Sequence, residues 1–258
     1  MPTAEEAYTE SMFGQFSYLA NWLPGTPLKL GLIGVLQGKT FVPKSPIGTF
    51  GVRFGTTSEP GPQQSLQFQS SSEIKVDVKV AGEVSKLVPA LPEAQAGAAV
   101  SFGASSGVVF HARGITISRV SDVIGLEAAI WDLWDRGIWN PDWVVITELV
   151  KADRTTVLIS EGRYGKVELG VSAAVPAGPV DLGDLTGDLS VVSSYGMHTQ
   201  LIGEGGLSPL FRAVRIKKSL FGTKITGARA ALPPTEPGVT PRRGAERPDG
   251  DLTEDATD

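Results

Sequence analysis

Residues 73–81 read Glu73-Ile74-Lys75-Val76-Asp77-Val78-Lys79-Val80-Ala81, and apolar and charged side chains alternate through them without a fault. Successive side chains of a strand point to opposite faces, so Ile74, Val76, Val78 and Val80 share one face and Glu73, Lys75, Asp77 and Lys79 the other. This is the clearest strand in the chain, and its neighbours have the same character. AAVSFGASSGVVFHARGITISR, residues 98–119, predicts two or three strands joined through Gly103–Gly107. WVVITELVKADRTTVLIS, residues 143–160, predicts two strands around a turn at Ala152 and Asp153, and GRYGKVELGVSAAV, residues 162–175, predicts a third.

Further out, LKLGLIGVLQGKTFV and GTFGVRFG are Gly-studded apolar runs of strand length, and short strands are expected near 189–194 and 197–202. Residues 55–66 read as turn and loop, and residues 82–97, with two prolines, as a connection. Two helices interrupt the strands. Met12, Phe16, Leu19 and Leu23 fall at helical spacing over residues 8–23, closed by Pro24 and Gly25. Val123, Leu126, Ile130, Leu133 and Trp134 form a second apolar face after an N-cap at Ser121, closed by Gly137. The fold class is α+β: a twisted, mainly antiparallel sheet with flanking helices, one domain over residues 1–232. Residues 233–258, rich in Pro, acids and Arg, read as a disordered tail.

Charge is segregated. The tail sets seven acids against Arg242, Arg243 and Arg247, while residues 205–232 carry Arg212, Arg215, Lys217, Lys218, Lys224 and Arg229 with no acid. The first 28 residues hold Glu5, Glu6 and Glu10 and no base. A net charge of −5 gives no support for a nucleic-acid partner. With zero cysteines, a disulfide framework, a thiol nucleophile and Cys-containing zinc sites are excluded. The N-terminus lacks a basic and apolar leader, which predicts a cytoplasmic start.

Chemical motifs are few. Gly38-Lys39-Thr40 lacks the earlier glycine of a phosphate loop and reads as a turn between strands. Gly103-Ala104-Ser105-Ser106-Gly107 matches G-x-S-x-G, but the residues after it are β-branched and cannot supply the helix a nucleophile elbow needs; a hairpin turn is expected. His111 and His198 have no ligand-spaced partners, Asp181, Asp184 and Asp188 do not have calcium-loop spacing, and Asp132 and Asp135 point away from their helix's apolar face. Trp131, Trp134, Trp139 and Trp143 are assigned to packing of a helix and its exit turn on a sheet. No metal, cofactor or catalytic residue is expected, so the chain is read as a non-enzyme.

A transmembrane β-strand needs only about 9–11 residues of alternating polarity. Residues 73–81 meet that pattern, and Val157, Ile159, Val167, Leu169 and Val171 approximate it. The element order then resembles the gasdermin family, its bacterial members in particular. The resemblance rests on WLPGTPLKLGLIGVL with GTFGVRF, on GVVFHARGITISRVSDVIGLEAAIWDLWDRGIW, on WVVITELVKADRTTVLIS and on SPLFRAVRIKK, and spans about residues 8–225. It implies an autoinhibited, cytoplasmic monomer, released by an activating protease, that becomes a homo-oligomer in the inner membrane and inserts β-hairpins as a pore, causing cell death in antiviral defence. The hairpin candidates are Ile74, Val76, Val78, Val80, Val157, Ile159, Val167, Leu169 and Val171. In place of the lipidated cysteine found in bacterial relatives, Phe13, Phe16, Trp22, Arg212, Arg215, Lys217 and Lys218 are the candidates for contact with membrane lipids. Arg242, Arg243 and Arg247 are candidate cleavage positions in the acidic tail, which would screen the basic segment before it. The alternatives are a β-rich structural or interaction protein, such as a phage or secretion component, and, third, a serine hydrolase.

Overall fold

The computed structural model describes residues 3–22, 26–61, 65–82, 89–93, 95–103, 106–162, 164–171, 189–219 and 222–227. Helix α1 spans Ala4–Phe16, four residues upstream of the predicted start. A capping box sets that start: Glu6 N donates to Thr3 Oγ1 at 3.2 Å and Thr3 N donates to Glu6 Oε2 at 2.8 Å. Ser17, at φ 58°, ends the helix, so Leu19 is not on it: β1, Leu19–Ala20, pairs with a later strand.

Strands β2 (Leu32–Gln37) and β3 (Thr40–Pro46) form a hairpin across Gly38-Lys39, with Gly38 at φ 61°, as the Gly-Lys-Thr reading expects. The next run is not a strand. Ile47–Phe50 is a short 3-10 turn closed by Gly51 at φ 78°, and Val52 and Phe54 pack into the core as irregular chain. Residues 55–66, expected as loop, instead contain β4 (Thr56–Pro60) and the start of β5 (Ser65–Gln69). β4 is exposed along its length and pairs on one side only, so it carries no apolar signature.

There follow β6 (Ile74–Lys79), β7 (Gly97–Phe102), β8 (Val108–Arg113), β9 (Thr116–Val120) and helix α2 (Val123–Asp135). Asp122, not Ser121, caps α2: its Oδ1 accepts from Gly125 N at 2.8 Å. Leu126, Ile130 and Leu133 are buried with Trp139, and Trp131, Trp134 and Trp143 pack around them, while Val123 and Ile124 face solvent.

The predicted turn at Ala152 and Asp153 does not exist. β10 runs unbroken over Trp143–Ser160, because the segment has no Gly or Pro to supply a tight turn. Bulges beside Ala152 absorb the irregularity, leaving Lys151 and Asp153 exposed around a buried Ala152. After β11 (Lys166–Val171), the strand expected near 189–194 is β12 (Leu189–Tyr195), while the short strand expected at 197–202 is the start of a much longer one, β13, Met197–Ser219, which pairs with β10 over Met197–Arg215. β14 (Gly222–Gly227) folds back on β13.

Among the described residues the strands make two antiparallel sheets. The large one is spanned by β10, flanked on one side by β13 and on the other by β2, β9 and β8 in turn. The small one has the order β12-β11-β7-β6. Helix α1 lies on the large sheet, burying Tyr8 and Met12 against Val108, Phe110, Val157 and Ile159.

Tyr8 is fully buried, and among the described residues its hydroxyl has no hydrogen-bond partner. Tyr8→Phe should therefore stabilise the fold by about 1 kcal/mol, since the desolvated hydroxyl is removed with little change of shape. Burial raises the Tyr8 phenol far above 10.0, and burial with a hydrogen bond to Glu148 raises Tyr18. A raised phenol contributes stability that is fully present below its ordinary value and lost as pH climbs toward the folded value. Thermal melts should thus fall between about pH 9 and about pH 11, less so for Tyr8→Phe. An alkaline fall identical in the two proteins would show that Tyr8 is not its source.

Candidate functional site

The small sheet has two unlike faces. In register, Ile74 faces Phe102, Val76 lies beside Val100 and Val167, and Val78 lies beside Ala98 and Leu169. With Val171 these pack against Val109 and Leu158 of the large sheet as one apolar core. The opposite face carries Lys75, Asp77, Lys79, Ser101, Lys166 and Glu168 in the intervening register positions. Val80 is half-buried just beyond the end of β6.

The two sheets are halves of one ribbon. β5, β8, β10 and β13 are neighbours in the large sheet, and their chain continuations β6, β7, β11 and β12 are neighbours in the same order in the small one. The fold line between the halves falls between β5 and β6, between β7 and β8, between β10 and β11, and at Gly196 between β12 and β13. The central pair keeps its register across that line. Ile159 faces Val108 before it, and Lys166, seven positions on, faces Ser101, seven positions back. Backbone hydrogen bonds continue through it: Ser160 N to Gly107 O at 3.0 Å, Phe102 N to Gly165 O at 2.8 Å, and Glu161 N to Gly196 O at 2.9 Å. Gly103–Gly107 is thus not a hairpin turn, because β7 and β8 lie in different sheets and do not pair. Ser105 lies outside the described residues.

The crease is built from left-handed backbone. Ser106 at φ 57°, Tyr164 at φ 74° and Gly196 at φ 61° all lie on it, and Ser17, capping α1, is the remaining non-glycine residue of positive φ among those described. A left-handed L-residue costs about 1–2 kcal/mol, so the bend is held by its surroundings. Tyr164 and Tyr195 are 79% and 75% exposed beside it. Among the described residues, β12 and β6 are the edges of the small sheet.

Other predicted residues are dispersed. Val157 and Ile159 sit beneath α1, in a different core from Val167, Leu169 and Val171. Phe13, Phe16 and Trp22 are half-buried. Phe13 packs beside the Leu19 and Phe211 cluster, Phe16 lies 5.9 Å from Phe110, and Trp22 lies 6.2 Å from Tyr8. Arg212 stacks on Tyr18 at 4.2 Å and lies 3.8 Å from Glu148, which is buried, accepts from the Tyr18 hydroxyl and pairs with Arg119 at 2.8 Å. The hydrogen bond and charge of Glu148 raise the Arg119 guanidinium. Sequence reasoning missed this group because its members are distant in the chain. Arg215 lies opposite Val144, and Lys217 and Lys218 lie opposite Lys224 and Thr223 in the β13–β14 pair. His111 is buried on β8, and His198 is on β13 near the Trp22 ring. Asp132 pairs with Arg136 on the open face of α2. Asp181, Asp184, Arg242, Arg243, Arg247 and the whole tail lie outside the described residues.

No protein-family model and no curated protein matches the chain. Among solved structures it is similar to the gasdermin A3 membrane pore determined by cryo-EM, at 10% identity over 88% of this chain and 95% of that one, with a TM-score of 0.30.

Proposed function

We propose that the protein is a pore-former whose ribbon straightens at the crease and inserts the hairpins β6–β7 and β11–β12 into a membrane. The observation that carries this is the unbroken order of four strands, the central pair in continuous register, across a strained fold line. Residues of equal parity share a face of a regular strand. Straightening would therefore join Leu66 and Phe68 to Ile74, Val76 and Val78, Ala98, Val100 and Phe102 to Val108 and Phe110, and Val157 and Ile159 to Val167, Leu169 and Val171. One aliphatic face would then run through strands longer than the ~9–11 residues that span a bilayer. The edges β6 and β12 cannot stay open in hydrocarbon, so insertion requires pairing with further copies of the chain.

The rest of the reading follows the gasdermin resemblance. The chain waits in the cytoplasm, is activated by proteolysis at Arg242, Arg243 or Arg247, and attaches to the inner membrane through Arg212, Arg215, Lys217 and Lys218 and the aromatic residues of the N-terminal segment. The pore would kill the cell in antiviral defence. The test is dye release from vesicles containing phosphatidylglycerol, before and after limited trypsin treatment, with negative-stain imaging of the same vesicles. Release with ring-shaped assemblies is expected. Intact vesicles together with a stable soluble oligomer would instead favour a structural or interaction protein.

A further inference from the structure

Lys79 belongs by alternation to the charged face of β6, yet it is only 1% exposed. Its ammonium donates to the carbonyls of Pro92 at 2.8 Å, Glu93 at 3.1 Å and Gln95 at 2.5 Å. An ammonium has three donors, and here all three are committed to the backbone of one short segment. That segment, of which residues 89–93 and 95–96 are described, lies on the way from β6 to β7 and crosses the polar face of the small sheet as a strap. Its second anchor is Glu168, also buried, whose Oε2 accepts from Ala90 N at 2.9 Å while Oε1 accepts from Lys166 Nζ at 2.8 Å. Gly82 N to Glu93 O at 2.8 Å and Val171 N to Ala96 O at 3.0 Å tie down its ends.

The sheet is shaped to receive it. Leu91 is buried over Ala99. A Cβ on Gly170 would lie 2.5 Å from Gln95 Nε2, so β11 lacks a side chain where the strap sits closest; one on Gly97 would meet both Leu91 Cδ1 at 2.3 Å and the Leu169 carbonyl oxygen of the neighbouring strand at 2.2 Å. Both faces of the small sheet are therefore covered at this end: the apolar one by the large sheet, and the part of the charged one around Lys79 and Glu168 by the chain's own strap, while Lys75 at the other end stays exposed.

We propose that the 89–96 strap is a latch keyed by the Lys79 ammonium, and that it must leave Lys79 and Glu168 before the ribbon can straighten. The inference rests on the pore-forming reading and adds to it an internal restraint separate from the tail. While the strap is seated, β6 and β7 cannot extend through their connection, because its backbone is tied to the middle of their own sheet. Once it leaves, Lys79 and Glu168 become part of a water-facing polar surface, where charges are hydrated instead of buried.

The experiment uses the full chain in three forms beside the wild type. Lys79→Met keeps the apolar stem and removes the donors. Gly170→Ala keeps Lys79 and pushes a methyl under Gln95. The pair Leu91→Cys with Ala99→Cys fastens the strap through a disulfide, in a chain with no other cysteine. Amide hydrogen exchange of Ala90, Gln95 and Val171 without lipid reads the latch alone, and dye release after matched trypsin treatment reads its consequence. Exchange and release are both expected to rise about tenfold in Lys79→Met, and by less in Gly170→Ala, where the atom displaced is the end of the flexible Gln95 side chain. In the cysteine pair, release should fall to background when oxidised and return on reduction. Unchanged exchange in both single variants, or faster exchange with unchanged release, overturns the latch while leaving the pore reading standing. So does full release from the oxidised pair, once mass spectrometry has shown that the disulfide is formed. No release from any form, wild type included, overturns the pore reading and the latch with it.

Discussion

Gly196→Val should release vesicle contents about tenfold faster than wild type after the same activation, and Tyr164→Gly should slow release by a similar factor. Both residues sit on the crease with φ in the left-handed region, Gly196 at 61° and Tyr164 at 74°. Valine is β-branched and is a pronounced outlier there, so the substitution raises the energy of the bent form. Its Cβ would also stand 3.3 Å from Gly165 Cα on the facing turn. The straightened form makes the residue extended, which valine favours. Tyr164→Gly acts with the opposite sign: it relieves strain in the bend and weakens the extended form, because glycine is a poor strand residue. About 1–2 kcal/mol per left-handed residue corresponds to roughly a tenfold change or more in the population of the straightened state. Melting temperature is the control. If Gly196→Val melts lower but releases dye at the wild-type rate, the crease stores strain without controlling insertion.

The strands that alternate or run apolar, β6, β7, β8 and β11, were legible because one or both faces are buried. The helix boundary was less so, yet Thr3-Ala4-Glu5-Glu6 carries a capping-box signature that places the start of α1 at Ala4, whereas the apolar spacing of Leu19 and Leu23 extended the helix too far. Strand length was the main loss. Asp153 resembles a turn residue, and only pairing with β13 on one side and β9 and β8 on the other makes 143–160 a single strand. β4 is an exposed edge with no apolar position to report it. At the candidate site, the aliphatic face was readable and the fold line was not, since shared register between β8–β10 and β7–β11 is a property of pairing. Lys79 shows the same limit: alternation places it on the polar face, but the strap that buries it is fixed by carbonyl positions that no side-chain pattern encodes.

The largest loss of stability from a single truncation should come from Phe110→Ala, about 3–5 kcal/mol. Phe110 is 1% exposed and lies between Phe68 and Val157 in register on the face that α1 covers. Its ring centroid is 5.9 Å from Phe16 and 6.4 Å from Tyr8. Removing it opens a cavity walled by two sheet strands, which cannot collapse far, and by a helix, which can shift. A domain of this kind is stable by about 5–15 kcal/mol, so the loss should lower the melting temperature by on the order of 10 °C. The consequence reaches the N-terminal aromatics. Phe16 and Trp22 are half-buried against this face and would expose their rings fully to lipid only if α1 lifts from it; Phe110 is one of the side chains, with Val108, Val157 and Ile159, that hold α1 there. Phe110→Ala should therefore red-shift tryptophan emission through Trp22, whose ring is 6.2 Å from Tyr8, and increase binding to anionic vesicles even where release is impaired. A large drop in urea midpoint without a change in emission or vesicle binding would show that α1 stays docked without Phe110. Phe16 and Trp22 would then be ordinary core residues, and membrane contact would fall to the basic β13–β14 pair alone.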